Sequence, residues 1–274
     1  MIILLSTIAA LALVYLFCLK GRSGHPGMAE LRRWNYAHRG LHDSQKPENS
    51  MAAFRAAKEK GYGIELDIHL MKDGNLAVIH DSSLKRVAGA DINIEDLTLS
   101  DLENYRLGNT NEKIPLFSQV LALYEGKAPL IVELKTAGDN YKQLCRSACQ
   151  MLDGYKGDYC IESFDPRCII WLRHHRPDII RGQLSENWMK SDIKLPWILK
   201  FVMTTHISNL VTRPDFIAYN YKHRKIFGTD ICRKLWKVQG VSWTIRTKND
   251  FNIAVNEGWI PIFENFIPED QQKK

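Results

Sequence analysis

The chain has 274 residues, 45% of them hydrophobic, with 37 Lys and Arg against 31 Asp and Glu and a formal net charge of +6. That is enough apolar sequence for one large α/β domain plus a short extension, and it excludes a disordered or low-complexity protein. The modest positive charge suits an anionic substrate or an anionic lipid surface, and the lack of an interleaved basic and aromatic stripe argues against nucleic acid as a partner.

Ile2 to Leu19 is almost uninterrupted apolar sequence, broken by Ser6 and Thr7. As a helix it would be roughly 27 Å long, just enough to cross a bilayer. Residues 1–23 are therefore expected to form a retained single-pass membrane anchor. A cleaved signal peptide is the alternative, but no Lys or Arg precedes the run and no small-x-small cleavage site follows it closely. Lys20, Arg22, Arg32 and Arg33 all follow the run, so the positive-inside rule places the large domain in the cytoplasm; an outward-facing or secreted domain is the competing orientation. Cys145, Cys149, Cys160, Cys168 and Cys232 lie beyond the anchor, odd in number and without a disulfide-like spacing. Residues 24–33 read as a basic linker, 34–268 as the main domain and 269–274 as a tail.

Within the main domain, apolar runs alternate with helical patterns. Strands are expected at Trp34–His38, Gly63–Leu70, Leu130–Lys135, Tyr159–Phe164, Ile179–Leu184, Asp215–Asn220, Val238–Ile245 and Trp259–Glu264. Helices are expected at Ser50–Lys60, Tyr141–Leu152, Pro166–His175 and Lys248–Glu257. This rhythm implies a parallel sheet with right-handed crossovers. Eight such strands suit a closed barrel, and spacing alone leaves an open doubly wound sheet as the alternative. One interval breaks the rhythm: Leu76–Asp81 reads as a short extra strand carrying His80, Asp91–Leu107 is polar and helix-prone, and a helix is expected to run to about Glu125.

The chemistry concentrates between His38 and Lys135. In Ile64-Glu65-Leu66-Asp67-Ile68, residues two apart share a face of the strand, so Glu65 and Asp67 point the same way. Leu130 to Lys135 repeats the device with Glu133 and Lys135. Each pair sits late in its apolar run, where the sites of (β/α)8 barrels collect. Carboxylates suit a hard divalent cation, histidines move protons near neutral pH, and Arg and Lys hold phosphate oxygens. A buried salt-bridge network would explain a single acidic pair. Two such strands flanked by His38-Arg39 and His80-Asp81 point instead to a functional cleft.

In order, His38-Arg39-Gly40, Pro47-Glu48-Asn49-Ser50, Glu65-Leu66-Asp67, Lys72-Asp73-Gly74, His80-Asp81 and Glu133-Leu134-Lys135 resemble the motifs of the glycerophosphodiester phosphodiesterase family. An ordered match over about a hundred residues is far more specific than a lone motif. The resemblance implies a TIM barrel with a small insertion after the second strand, here residues 82–113, capping the barrel mouth. It implies metal-dependent hydrolysis of glycerophosphodiesters to glycerol 3-phosphate and an alcohol. By it, His38 and His80 are the acid-base pair, Arg39 and Lys135 hold the phosphate, and Glu65, Asp67 and Glu133 bind Ca²⁺ or Mg²⁺. Glu48 and Asp81 are expected to support the site, while Ser163, Phe164 and Trp243 are expected at the pocket wall. His69 shares the face of Glu65 and Asp67, but the resembling family does not require histidine there.

The C-terminal half departs from the pattern. Arg246 replaces Asn in the W-T-V-N segment, and Ile262-Phe263-Glu264-Asn265-Phe266-Ile267-Pro268 stands where many members have I-x-T-D-x-P. From the sequence, these departures are expected to bear on the alcohol end of the substrate rather than on hydrolysis itself. Two other readings remain beside the first: a lysophospholipase D-like hydrolase at the membrane, and a non-catalytic lipid-headgroup binder.

Overall fold

The computed structural model describes residues 2–268, so the expected tail at 269–274 lies outside the described residues. Nine strands occur among them: β1 (Tyr36–His38), β2 (Gly63–Leu70), β3 (Leu76–Val78), β4 (Leu130–Leu134), β5 (Tyr159–Ser163), β6 (Arg181–Ser185), β7 (Phe216–Asn220), β8 (Gln239–Ile245) and β9 (Trp259–Phe263). Eight of these are parallel and close on themselves, because β1 pairs with both β9 and β2. The ninth, β3, lies antiparallel against the end of β2. This is a (β/α)8 TIM barrel, and closure excludes the open doubly wound sheet.

Two of the longer helices show how local sequence starts a crossover. Helix α1 spans Ile2–Cys18. Helix α2 (Met51–Glu59) begins where the Ser50 hydroxyl accepts from the Ala53 amide, a standard N-cap. Beyond it lie α3 (Phe117–Tyr124), α4 (Tyr141–Leu152) and α5 (Pro166–His175). Asp165 caps α5 and Pro166 opens it, a position where proline sacrifices no helical hydrogen bond. Cys145 and Cys149 lie on the buried face of α4 as reduced packing residues. Two further helices are α6 (Trp197–Thr204) and α7 (Lys248–Asn256).

The alternation within β2 has a direct spatial meaning. Ile64, Leu66 and Ile68 face outward into a cluster with Phe54, Phe117 and Leu144 of the surrounding helices. Inside the barrel a second apolar cluster, including Tyr36, Ile131, Phe216 and Val241, fills the lower layers. Glu65 and Asp67 share this interior but rise toward the C-terminal ends of the strands. Register then sets the site: His38 pairs with Glu65, Asp67 with Glu133, and Glu133 with Glu162.

The interval after β2 differs in detail from its expected form. β3 stops at Val78, so His80 follows the strand rather than lying in it. Residues 91–107 form two short 3₁₀ turns, Ile94–Asp96 and Asp101–Asn104, instead of a helix. The reason is packing. Ile94, Leu97, Leu102 and Leu107 are buried with Met71, Ala77 and Ile79 in a small cluster of their own, and their uneven spacing cannot present one helical stripe. Helix α6 lies in a stretch for which no element was expected.

The N-terminal segment requires a larger correction. Among the described residues no helix is long and apolar enough to cross a membrane. Helix α1 has 17 residues, about 26 Å of rise, and ends at Cys18 because the chain turns onto the barrel. Leu19 is fully buried against Ile217, Cys232 and Val238. The Trp236 indole donates to the Leu16 carbonyl at 2.8 Å, and Arg22 pairs with buried Asp215 at 2.5 Å. The expected spanning anchor is thus unsupported among the described residues.

Candidate active site

His38 ends β1, and the next two residues bend the chain sharply. Arg39 and Gly40 both have positive φ, 53° and 80°. A Cβ on Gly40 would come within 2.8 Å of the Ala53 backbone, so the glycine of this motif serves both the turn and the close seating of α2. The turn lets the Arg39 amide donate to Glu65 Oε2 at 3.1 Å. Its guanidinium lies 3.3 Å from Asp67 and donates to Glu48 at 2.9 Å.

The expected ligand set converges. Ligand atoms of Glu65, Asp67 and Glu133 lie within 4.8 Å of one another, and all three side chains are buried. Asn49 donates to Asp67 Oδ2 at 2.8 Å, so it reaches into the site rather than only opening a helix. Lys135 Nζ stands 3.0 Å from Asp67 and 2.6 Å from Glu133. The oxygens it faces, Asp67 Oδ1 and Glu133 Oε1, are buried and have no other donor. Burial, and then the charges of Asp67 and Glu133, push the Glu65 carboxyl well above its ordinary range. Burial likewise pushes Glu133 up to about 7. Burial opposes ionisation of Asp67 too, but Lys135 and Arg39 outweigh it and hold that carboxyl low. Three carboxylates this close cannot all ionise unaided. Three buried carboxylates whose ligand atoms lie this close fit a hard divalent cation.

His80 is oriented by its neighbour: its Nδ1 donates to Asp81 Oδ1 at 2.6 Å. Asp81 also accepts from Arg86 at 2.5 Å, and Arg86 forks onto Glu48 at 2.6 and 3.0 Å. Glu48 and Asp81 therefore tie Arg39 and His80 to the 82–113 segment. His38 Nδ1 donates to Glu264 Oε2 at 2.5 Å, while its Nε2 lies 3.9 Å from Glu65. Burial lowers the proton affinity of both imidazoles, against the opposing pull of nearby carboxylates.

His38, Arg39, Glu65, His80, Glu133 and Lys135 line one cavity of about 320 Å³ at the C-terminal mouth of the barrel. Phe164 and Trp243 wall it edge to face, with ring centroids 5.5 Å apart. Ser163 does not belong to that wall; its hydroxyl is buried and donates to the Leu134 carbonyl at 2.7 Å. His69 is engaged elsewhere, with Nδ1 2.6 Å from Glu95 and Nε2 3.1 Å from the His80 carbonyl. Four cavity or rim residues escaped sequence reasoning. Glu162 is buried, with Oε2 unpaired, and burial followed by Glu133 pushes its carboxyl well up. Arg86 gives no local signal. His42 and Glu264 form a second close group with His38, and the short His38–Glu264 hydrogen bond accounts for that approach without an ion.

Fold and site together define a TIM barrel that gathers a carboxylate cluster, two histidines and two phosphate-suited cations at the C-terminal ends of its strands. The model of the glycerophosphoryl diester phosphodiesterase family matches residues 38–267; the chain belongs to that family. It is 39% identical over 109 residues to a glycerophosphodiester phosphodiesterase of Caldanaerobacter subterraneus subsp. tengcongensis, a match covering 36% of this chain and 44% of that protein. It is 27% identical over 253 residues to glycerophosphodiester phosphodiesterase 1 of Mus musculus, covering 79% and 72%. A solved phosphodiesterase from Oleispira antarctica, in complex with the product sn-glycerol-3-phosphate, shares the fold with a TM-score of 0.68 at 19% identity, covering 84% of this chain and 92% of that one.

Proposed function

We propose that this protein hydrolyses glycerophosphodiesters to glycerol 3-phosphate and an alcohol at a divalent-metal site, with His38 and His80 moving the protons. The observation that carries the reading is the convergence of Glu65 and Glu133 with His38, His80, Arg39 and Lys135 in one cavity, with buried Asp67 completing the carboxylate cluster behind them. Family membership and the product held by the Oleispira enzyme support it.

Glu65, Asp67 and Glu133 would hold the ion, Ca²⁺ or Mg²⁺ by their all-oxygen character. When bound, it supplies charge neutralisation at the phosphate. The side chains perform the rest. Arg39 and Lys135 would bind non-bridging phosphate oxygens, Arg39 through its planar fork and Lys135 as a point charge. One imidazole would take the proton from the attacking oxygen as its bond to phosphorus forms. The other would give a proton to the leaving alkoxide as the second phosphorus–oxygen bond breaks. Asp81 keeps the Nδ1 of His80 occupied by a proton, so its Nε2 is the nitrogen left for transfer. Phe164 and Trp243 would exclude water from one side of the cavity.

The deciding experiment is a metal screen on the full chain with glycerophosphocholine, glycerophosphoethanolamine and a lysophospholipid. Metal-dependent release of choline or ethanolamine from the first two is the expected result. Cleavage of the lysophospholipid alone would favour the lysophospholipase D-like reading, and no cleavage with any ion would leave only a headgroup binder.

A further inference from the structure

We propose that Glu264, anchored by Arg246, is a positioning residue that sets the orientation and tautomer of the His38 imidazole. The role rests on His38 serving in the hydrolysis proposed above.

Three observations carry it. First, Glu264 directly follows β9, the strand that pairs with β1, and its Oε2 accepts from His38 Nδ1 at 2.5 Å. A carboxylate can only accept at this distance, so the neutral ring holds its proton on Nδ1. The Nε2 lone pair is thereby left toward the cavity and Glu65, 3.9 Å away. Second, Glu264 is itself held. Arg246 Nε donates to its other oxygen at 2.6 Å, and the Glu264 amide donates to the Ile245 carbonyl at 3.0 Å. Burial alone would favour a neutral Glu264 carboxyl; the hydrogen bonds from His38 and His42 and the charge of Arg246 outweigh it and keep it ionised.

Third, both partners stand at positions where this sequence leaves the family pattern, Arg246 at the Asn of W-T-V-N and Glu264 at the Thr of I-x-T-D-x-P. In the structure the two departures touch each other. Without Arg246, the Glu264 carboxylate beneath His38 would be a poorly solvated charge. Together they make a neutral pair with one carboxylate oxygen free for His38. The two side chains therefore act as one unit in this chain. It gives His38 the same kind of carboxylate support that Asp81 gives His80.

The test combines kinetics with a spectroscopic readout of the ring. Glu264→Ala should lower kcat by roughly 10- to 100-fold, as loss of an orienting partner commonly does, with KM changed less than about threefold. Glu264→Gln keeps an acceptor for Nδ1–H and should recover at least half of that loss on a logarithmic scale. Arg246→Asn should lower kcat, and adding Glu264→Thr to it should cost less than the two single effects combined. Histidine-selective ¹⁵N NMR, taken where the ring is neutral, should show the Nδ1–H tautomer of His38 in the native chain and a tautomer mixture in Glu264→Ala. An unchanged tautomer, a loss expressed in KM alone, or additive Arg246 and Glu264 effects would overturn the proposal. The NMR arm needs no turnover. A native chain that cleaves no diester would thus refute the hydrolase reading while the His38–Glu264 relation is still decided.

Discussion

Lys135 places its ammonium 3.0 Å from Asp67, across the β2–β4 register, as well as 2.6 Å from Glu133 on its own strand. One cation thus faces both the carboxylate cluster and the cavity where phosphate would sit. Replacing it with Met should weaken inhibition by glycerol 3-phosphate about tenfold or more, near 1.4 kcal/mol. Lys135→Arg should not restore native turnover, because a planar fork cannot take the place of a compact ammonium between two buried carboxylates. Inhibition constants for the product in each variant check this; unchanged product binding in Lys135→Met would remove Lys135 from the phosphate site.

His38→Ala and His80→Ala should each reduce turnover by roughly 100-fold or more, with circular dichroism unchanged because neither side chain belongs to an apolar cluster. Arg39→Ala should weaken product binding more than either histidine variant does. Near-native turnover in both histidine variants would contradict the assignment.

Exhaustive chelation should abolish hydrolysis, and Ca²⁺, Mg²⁺ or a similar ion should restore it. The same ions should raise the melting temperature, since the folded cluster binds them and the unfolded chain does so weakly. At a hundredfold excess over Kd the gain is about 2.7 kcal/mol, or roughly 5 °C or more for a chain of this size. Asp67→Asn and Glu133→Gln should lose the thermal shift. Full activity in metal-free protein would refute the site.

His206 supplies a pH prediction away from the site. It is fully buried, its ring lies 5.0 Å from that of Tyr219, and its Nδ1 has no partner. Burial lowers its pKa to about 4, so the unfolded chain takes up the proton first, near 6.5. Stability from this residue is fully present above pH 6.5 and is lost as pH falls from 6.5 toward 4, by about 2–3 kcal/mol. His206 has a φ of 63°, which Asn tolerates. His206→Asn should flatten the decline in that window, measured by urea unfolding at several pH values. A slope equal to that of the native chain would show that other groups set it.

The N-terminal segment divides into two parts that truncation should separate. Ile2 to Val14 is largely exposed, whereas Leu19 is not exposed at all. Deleting residues 2–13 should leave the melting temperature nearly unchanged and reduce self-association, because a large apolar surface is removed. Deleting through Arg22 should destabilise the barrel, and Leu19→Ala alone should cost about 2–5 kcal/mol. Equal stability of the two truncations would mean that Leu19 and Arg22 contribute nothing to the fold.

What could be read from the sequence by itself is what neighbours along one strand decide. Alternation in Ile64–Ile68 and Leu130–Lys135 puts Glu65, Asp67, Glu133 and Lys135 on inward faces, and the regular recurrence of such runs implies a parallel αβ architecture. The order of the histidine and glycine motifs then distinguishes one family of barrels. Tertiary structure decided everything that depends on closure and register. Glu162 joins the site because β5 pairs with β4 at Glu133, and Glu264 reaches His38 because β9 returns to β1. The Arg86 fork onto Glu48 joins side chains 38 residues apart, which no local pattern brings together. The apolar run at the N-terminus teaches the same lesson in reverse. Hydropathy records that Ile2 to Leu19 avoids water, but not where it finds cover. Only the packing of Leu19 against Ile217, Cys232 and Val238 ties the end of that run to the barrel, because burial is a relation between distant segments rather than a property of one.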